Sequence, residues 1–376
     1  MVIGRHRATR ITVDLGAIRE NIKNEKKRLV GKEMFAVVKA DAYGHGAVPV
    51  AKACEEAGVD GFCVAVMDEG IQLREAGFTE PILILSMIDP QYLSFLMQYD
   101  LAVTAGSLEW LEACCRVWKT LPNRQPLKIH LKVDSGMGRI GFRTPEEVHE
   151  AARFLLDEAA FDFEGIFTHF ATADEADEEY YQKQAKRFSQ AVAALPARPP
   201  YIHVSNSATA LWHDAGEIGN MVRYGVALYG LNPSGAALAL PYPLKPALSM
   251  TSELTQVKEV AAGEGISYGK TYVTETAEWI GTIPIGYADG WLRRMQGFKL
   301  LVEGVRCEII GRICMDQLMI RLPKRFPEGT TVTLVGASGN DAITLEEIAE
   351  YADTIHYEVA CCFSPRIPRV YRDSAD

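Results

Sequence analysis

The stretch 34-MFAVVKADAYGHG-46 decides how the rest of the chain is read. Five apolar residues, suited to a strand buried on both faces, stop at Lys39, and a turn with two glycines follows before a helical period begins at 47. That is one βα unit with polar groups gathered at the strand's C-terminal end. The same rhythm recurs at 62-FCVAV-66, 81-PILILS-86, 101-LAVTA-105, 127-LKIHLKVD-134, 163-FEGIFTHF-170, 201-YIHVSN-206 and 221-MVRYGVALYG-230. Amphipathic segments lie between, at 47–58, 68–77, 107–120, 145–160 and 177–195, with Asp68, Ser107 and Thr144 placed as N-caps. Eight strands alternating with helices predict an α/β fold, a (β/α)8 TIM-type barrel whose chemistry sits at the C-terminal strand ends.

Beyond the Pro-rich stretch 241-PYPLKP-246 the pattern changes. Runs at 252–260, 279–285, 299–304, 306–313, 317–322 and 331–336 read as strands separated by glycine-containing turns, and 343–353 is the one helical pattern. The expected organisation is a barrel over 12–245 and a mainly β domain over 246–376, joined by the N-terminal strand region 1–11; the run 8-ATRITVDL-15 is a candidate to pair with that domain.

With 376 residues and 48% hydrophobic content, the chain can fill two cores. A net charge of -10 argues against a nucleic-acid partner, since neutralising phosphates needs clustered Lys and Arg. The eight cysteines show no CxxC pair and no Cys/His metal spacing, so reduced, buried thiols of a cytoplasmic protein are expected and no metal. There is no run of about 18 apolar residues, so no membrane segment is expected.

The strand ends are rich in polar groups. Lys39 and Tyr43 follow the first strand; Lys132 and the loop 134-DSGMGRIG-141, presenting Arg139, follow the fifth; His169 ends the sixth; Ser205, Asn206 and Ser207 end the seventh; Arg223 and Gly225 lie in the eighth. Each has an ordinary alternative when taken alone. A lysine after a strand is commonly a surface cation, a single histidine commonly a structural one, and the Ser/Asn stretch serves equally as a helix N-cap. A lysine desolvated at a barrel mouth, however, has a lowered pKa and becomes a nucleophilic amine. An arginine within an apolar strand needs an acceptor.

Together these residues resemble the alanine racemase family, enzymes of pyridoxal-phosphate (PLP) fold type III. The match runs in order through 37-VVKADAYGHG-46, 131-LKVDSGMGRIGF-142, 168-THFATAD-174, 205-SNSA-208, 221-MVRYGVALYG-230, 266-ISYGKTY-272, 284-PIGYADG-290 and 311-GRICMDQ-317. The resemblance implies that Lys39 binds PLP and acts as one catalytic base. Tyr268, from the other subunit of a homodimer, is then the opposing base. It implies that Tyr43, Ser207, Gly225 and Val226 hold the phosphate beside Asn206, that Arg223 meets the pyridine nitrogen, Arg139 the ring oxygen, and that His169 lies beside the ring. Lys132 corresponds to the family's carbamylated lysine, and Tyr287, Met315 and Asp316 line the entrance or receive the substrate carboxylate.

The implied reaction interconverts L- and D-alanine and supplies D-alanine for peptidoglycan. A departure occurs in 361-CCFSPRIPRVY-371, where Pro365 stands at a position often held by a tyrosine that touches the phosphate and crowds the pocket. This keeps an alanine/serine racemase as the alternative. A fold-type-III decarboxylase and a non-catalytic PLP-binding protein built on the barrel alone are the remaining readings, and the ISYG segment weighs against both.

Overall fold

The computed structural model describes residues 2–213 and 218–374. The chain divides into two compact units, one of Ala17–Ala42 and Gly46–Lys245, the other of Met1–Gly16, Tyr43–His45 and Pro246–Asp376.

Strand β1 (Arg10–Asp14) belongs to the second unit. The first holds β2 (Glu33–Val37), β3 (Gly61–Val64), β4 (Ile82–Ile84), β5 (Ala102–Ala105), β6 (Leu127–Lys132), β7 (Phe161–Phe167), β8 (Tyr201–His203) and β9 (Met221–Tyr224). All ladders are parallel and run in the order β8-β7-β6-β5-β4-β3-β2-β9. Strands β8 and β9 meet at a single bridge between Ser205 and Val222, reinforced by the Arg223 N–H donating to Ser205 O at 2.9 Å. The sheet is therefore a nearly closed eight-stranded barrel, as the alternating pattern predicts. The strands stop earlier than the apolar runs suggested. After Tyr224, Gly225 turns the backbone (φ -116°, ψ -105°) into a short 3-10 turn, Val226–Tyr229, instead of extending the strand.

The intervening helices bury one apolar stripe each. In Pro145–Asp157 the buried residues are Val148, Ala151, Ala152 and Leu155, spaced for one helix face. Ser107 and Thr144 cap their helices, accepting from the N–H groups of Trp110 and Glu147, both at 3.2 Å. Asp68 does not: the helix begins at Met67, which places Asp68 in its first turn. The capping acceptor is Glu69, whose Oε2 takes the N–H groups of Ala65 (2.8 Å) and Val66 (3.2 Å). A glutamate three residues inside a helix reaches back far enough to do this, which the expected placement overlooked.

The second unit is built on a sheet of β1 with β10 (Leu248–Glu253), β11 (Gln256–Val260), β14 (Glu278–Ile283), β15 (Lys299–Val302), β16 (Val305–Ile310), β17 (Leu318–Leu322), β18 (Thr331–Ser338), β19 (Asp341–Ile343) and β20 (Arg369–Arg372); a ribbon of β12 (Gly265–Ile266) and β13 (Tyr272–Val273) stands apart. The main path is β11-β14-β17-β16-β15-β18-β10-β1-β20, with β19 on β18. Strand β1 lies between β10, antiparallel, and β20, parallel, which explains the alternating pattern of 8–15.

The run at 252–260 is two strands broken at Leu254–Thr255. A second helix, His356–Cys362, joins the expected one, observed as Leu345–Tyr351. That second helix buries His356, Val359 and Ala360 and turns Cys361 and Cys362 outward. The expectation of buried thiols therefore holds for Cys54, Cys63, Cys114, Cys115 and Cys307 but not for that exposed pair, and Cys314 is partly buried. No helix among the described residues is long and apolar enough to cross a membrane.

Candidate active site

Lys39 lies just beyond β2 and is partly buried. The four residues after it, Ala40 to Tyr43, all adopt left-handed backbone, with φ of 52 to 53°. Such a turn costs L-residues about 1–2 kcal/mol each, so it persists only where the surroundings enforce it. Glu69 Oε1 accepts the Ala40 N–H at 2.6 Å, and Asp41 Oδ1 accepts the Ala47 N–H at 2.7 Å. Among the described residues nine non-glycines have positive φ, and six of them flank Lys39 or Tyr268 (Ala40, Asp41, Ala42, Tyr43, Ser267 and Lys270). Backbone strain is thus concentrated beside the two residues that the resemblance implies are bases.

The cations of the barrel gather around His169. Burial, reinforced by the charges of Arg223, Arg139, Lys132 and Lys39, holds the His169 imidazole well below its usual pKa, so it is neutral. Lys132 is buried on β6 and lowered to about 7, by burial first, then by Arg223 and Arg139, against an opposing pull from Asp134. Its Nζ donates to Val133 O at 2.7 Å. Burial pushes the Cys63 thiol up to about 12 against the charges of Arg223 and Lys39. Arg139 is exposed on its loop and acts on the others through its charge.

Arg223 finds the acceptors it needs. Nη2 donates to Thr168 O at 2.8 Å and Val204 O at 3.2 Å, and Nη1 donates to His203 Nδ1 at 2.6 Å. Burial lowers Arg223 to about 10, still charged at neutral pH. The histidine is the start of a chain that sequence reading missed. His203 Nε2 meets His130 Nδ1 at 2.8 Å, and His130 Nε2 meets Glu164 Oε2 at 2.9 Å.

An arginine only donates, so His203 Nδ1 must accept; its Nε2–H then donates to His130, whose own Nε2–H donates to the Glu164 carboxylate. Glu164 sits at a register shift between β6 and β7, where Ile129 pairs with Phe163 but His130 pairs with Gly165. A Cβ on Gly165 would lie 2.3 Å from His130 Nδ1, so this strand glycine makes room for the ring. The signal was legible as His130, Glu164-Gly165 and His203 interrupting apolar strands.

Ser207 and Gly225 come together: Ser207 Oγ accepts from the N–H groups of Gly225 (2.9 Å) and Ala227 (3.4 Å), with Val226 between them in sequence. Asn206 is engaged as an N-cap, its Oδ1 accepting from Thr209 N at 2.9 Å and Thr209 Oγ1 at 3.0 Å. Tyr43 groups with the second unit, where its ring packs 6.1 Å from that of Tyr357.

In that unit Tyr268 is 69% exposed, Met315 53% and Tyr287 42%. Ser267 and Cys314 side chains approach at 3.5 Å, and the N–H groups of Tyr287 and Ala288 donate to Cys314 O (3.1 Å) and Met315 O (3.0 Å). The segments carrying Tyr268, Tyr287, Met315 and Asp316 therefore share one face of the β unit. Pro365 is exposed, one residue after Ser364, whose N–H donates to Asp289 O at 3.0 Å.

Residues 13–233 match the family description "Alanine racemase, N-terminal domain" and residues 247–371 match "Alanine racemase, C-terminal domain". The chain belongs to the alanine racemase family. It is 57% identical over 375 residues to an alanine racemase of Latilactobacillus sakei, covering 99% of this chain and 98% of that protein. Among solved alanine racemases, that of E. faecalis superposes with a TM-score of 0.96 at 60% identity, covering 99% of this chain and 100% of the other. That of Bacillus anthracis with bound L-Ala-P superposes with a TM-score of 0.94 at 43% identity, covering 98% and 96%. Because both domains match, a PLP-binding protein built on the barrel alone is set aside, and the decarboxylase reading goes with it.

Proposed function

We propose that this chain interconverts L- and D-alanine with PLP bound at the barrel mouth, as a cytoplasmic homodimer that supplies D-alanine for peptidoglycan. The observation that carries the reading is the match of both parts of the chain, residues 13–233 and 247–371, to alanine racemase domains, and the charges of Lys39, Lys132, Arg139 and Arg223, all acting on the neutral His169, agree with it. Such a donor set fits PLP: an amine for its carbonyl carbon, a guanidinium for its ring nitrogen, and the Ser207 hydroxyl with the Gly225 and Val226 backbone for its phosphate, joined by Tyr43 and Asn206.

PLP, when bound, supplies the electron sink that renders the substrate's Cα proton acidic. Racemisation then requires one base on each face of Cα. Lys39 moves the proton on one face, and Tyr268 of the other subunit moves it on the opposite face; the exposure of Tyr268 on a single chain favours that sharing. Arg223, held by three acceptors and charged at neutral pH, would face the ring nitrogen as a donor that keeps its proton. Arg139 would serve the ring oxygen, His169, a neutral group, would lie beside the ring, and Lys132, carbamylated, would hold Arg139 in place. Tyr287, Met315 and Asp316 line the path of the substrate, and the Met315 segment receives its carboxylate.

Pro365 favours a second reading, an alanine/serine racemase. It offers no hydroxyl and less bulk than the tyrosine the family often has there. Chiral chromatography of L-alanine and L-serine incubated with the purified holoprotein tests both readings. Equal turnover establishes the broader specificity, alanine alone the narrower, and conversion of neither overturns the proposal.

A further inference from the structure

The residues preceding β1 lie against the turn that carries Tyr287 and against Arg366. Arg7 grips the Asp289 carboxylate with both Nη atoms, Nη1 reaching Oδ2 at 3.0 Å and Nη2 pairing with Oδ1; Nη1 also donates to Pro284 O at 3.4 Å. Asp289 has no side-chain exposure. Its other partners are the Gly286 N–H at 3.1 Å and Arg366, whose Nε stands 3.6 Å from Oδ1. Arg366 in turn donates from Nη2 to Asp316 Oδ1 at 2.7 Å, and its carbonyl accepts the Gly4 N–H at 2.8 Å.

The turns that carry Tyr287 and Asp316 form one block. Besides the bonds from Tyr287 and Ala288 to the 314–315 carbonyls, a Cβ on Gly286 would lie 2.3 Å from Cys314 O and 2.4 Å from Met315 O.

Two carboxylates of the block, Asp289 and Asp316, meet two guanidiniums from outside it, Arg7 and Arg366, and the pairing matters. A buried carboxylate stripped of its partner is strongly unfavourable, whereas the half-exposed Asp316 can be left to water at little cost. If Arg7 did not neutralise Asp289, Arg366 would be drawn inward to do so and would release Asp316. Asp316 would then present a bare negative charge where an amino acid's carboxylate has to pass, and like charges repel there.

We propose that Arg7, on the N-terminal segment, is a positioning residue for substrate admission: by satisfying Asp289 it keeps Arg366 on Asp316 and so cancels the charge of the entrance aspartate. This rests on the reading of Tyr287, Met315 and Asp316 as entrance residues. The effect falls on substrate binding, because Arg7 touches no reacting atom.

The test is steady-state kinetics of the holoprotein with L-alanine for Arg7→Ala, Asp316→Asn and the double variant, with Tyr287→Ala as a control. Arg7→Ala is expected to raise KM about tenfold with kcat little changed. Added on the Asp316→Asn background, the same substitution should leave KM where that variant alone has it. Visible cofactor absorbance and dimer mass certify folding; where Arg7→Ala loses either, Arg7→Lys is read instead, with a smaller rise because a lysine cannot grip both oxygens. An unchanged KM in Arg7→Ala, or an equal rise on both backgrounds as a merely structural role would give, overturns the proposal. A raised KM in Tyr287→Ala confines such a failure to the Arg7 role, and an unchanged one overturns the entrance reading and this proposal with it.

Discussion

Arg223 Nη1 and His203 Nδ1 stand 2.6 Å apart in the barrel interior, both residues buried, and the arginine can only donate. That bond sets the proton order of the chain through His130 to Glu164. Replacing His203 by Phe keeps an aromatic ring against Phe167, on which His203 stacks at 4.7 Å, but leaves one guanidinium N–H without its acceptor. The expected loss is about 1–3 kcal/mol, measured as a lowered urea midpoint. An unchanged midpoint would show that the bond carries no net weight.

Gly165→Ala attacks the same chain from the backbone side. With a Cβ placed 2.3 Å from His130 Nδ1, the ring must move, and overpacking of this kind costs about 1–3 kcal/mol. Thermal unfolding of Gly165→Ala beside His130→Ala checks the cause: in the double variant the added methyl should cost much less.

Acid sensitivity follows from His169 and His203, both lowered well below 6.5, chiefly by burial and then by Arg223. Below pH 6.5 the unfolded histidines take up protons that the folded ones refuse. Their contribution is thus intact above the unfolded pKa and falls as pH drops toward the folded values, by about 1.4 kcal/mol per pH unit for each histidine. Unfolding midpoints between pH 7.5 and 5.5 should decline, and less steeply in His203→Asn. A slope identical in that variant would exclude His203 from the linkage.

Lys132, lowered to about 7, presents a neutral amine near physiological pH, and a neutral amine adds to carbon dioxide, giving a carbamate and releasing a proton. Incubation with 13C-bicarbonate should give a protein carbamate signal by NMR that is missing in Lys132→Ala. The same signal in both proteins would place the carbamate elsewhere.

The roles proposed for Lys39 and Tyr268 separate by spectrum and turnover. Lys39→Ala should lose the visible absorbance of bound PLP, and a retained band would sink the assignment. Tyr268→Phe should keep the band while turnover of L-alanine falls by about 100-fold or more, in the range typical of a lost acid–base group. Full activity there would refute the two-base reading.

The eight apolar runs and the change of rhythm after residue 246 were enough to predict a barrel and a β domain, and the polar strand ends marked candidate residues whose roles came from the resemblance to alanine racemases. Each is a local pattern: buried parallel strands need continuous apolar residues, and functional groups interrupt them at their ends. What the tertiary structure alone decided depends on neighbours far apart in sequence. The left-handed turn after Lys39 is built from Ala-Asp-Ala-Tyr, of which only Asp visits that conformation with any frequency. His130, Glu164 and His203 became partners of Arg223 through strand register and a bulge, and Arg7 met Asp289 across 282 residues of chain. Side-chain hydrogen bonds and buried ion pairs follow distance in space, so their partners emerge only once the strands are in register.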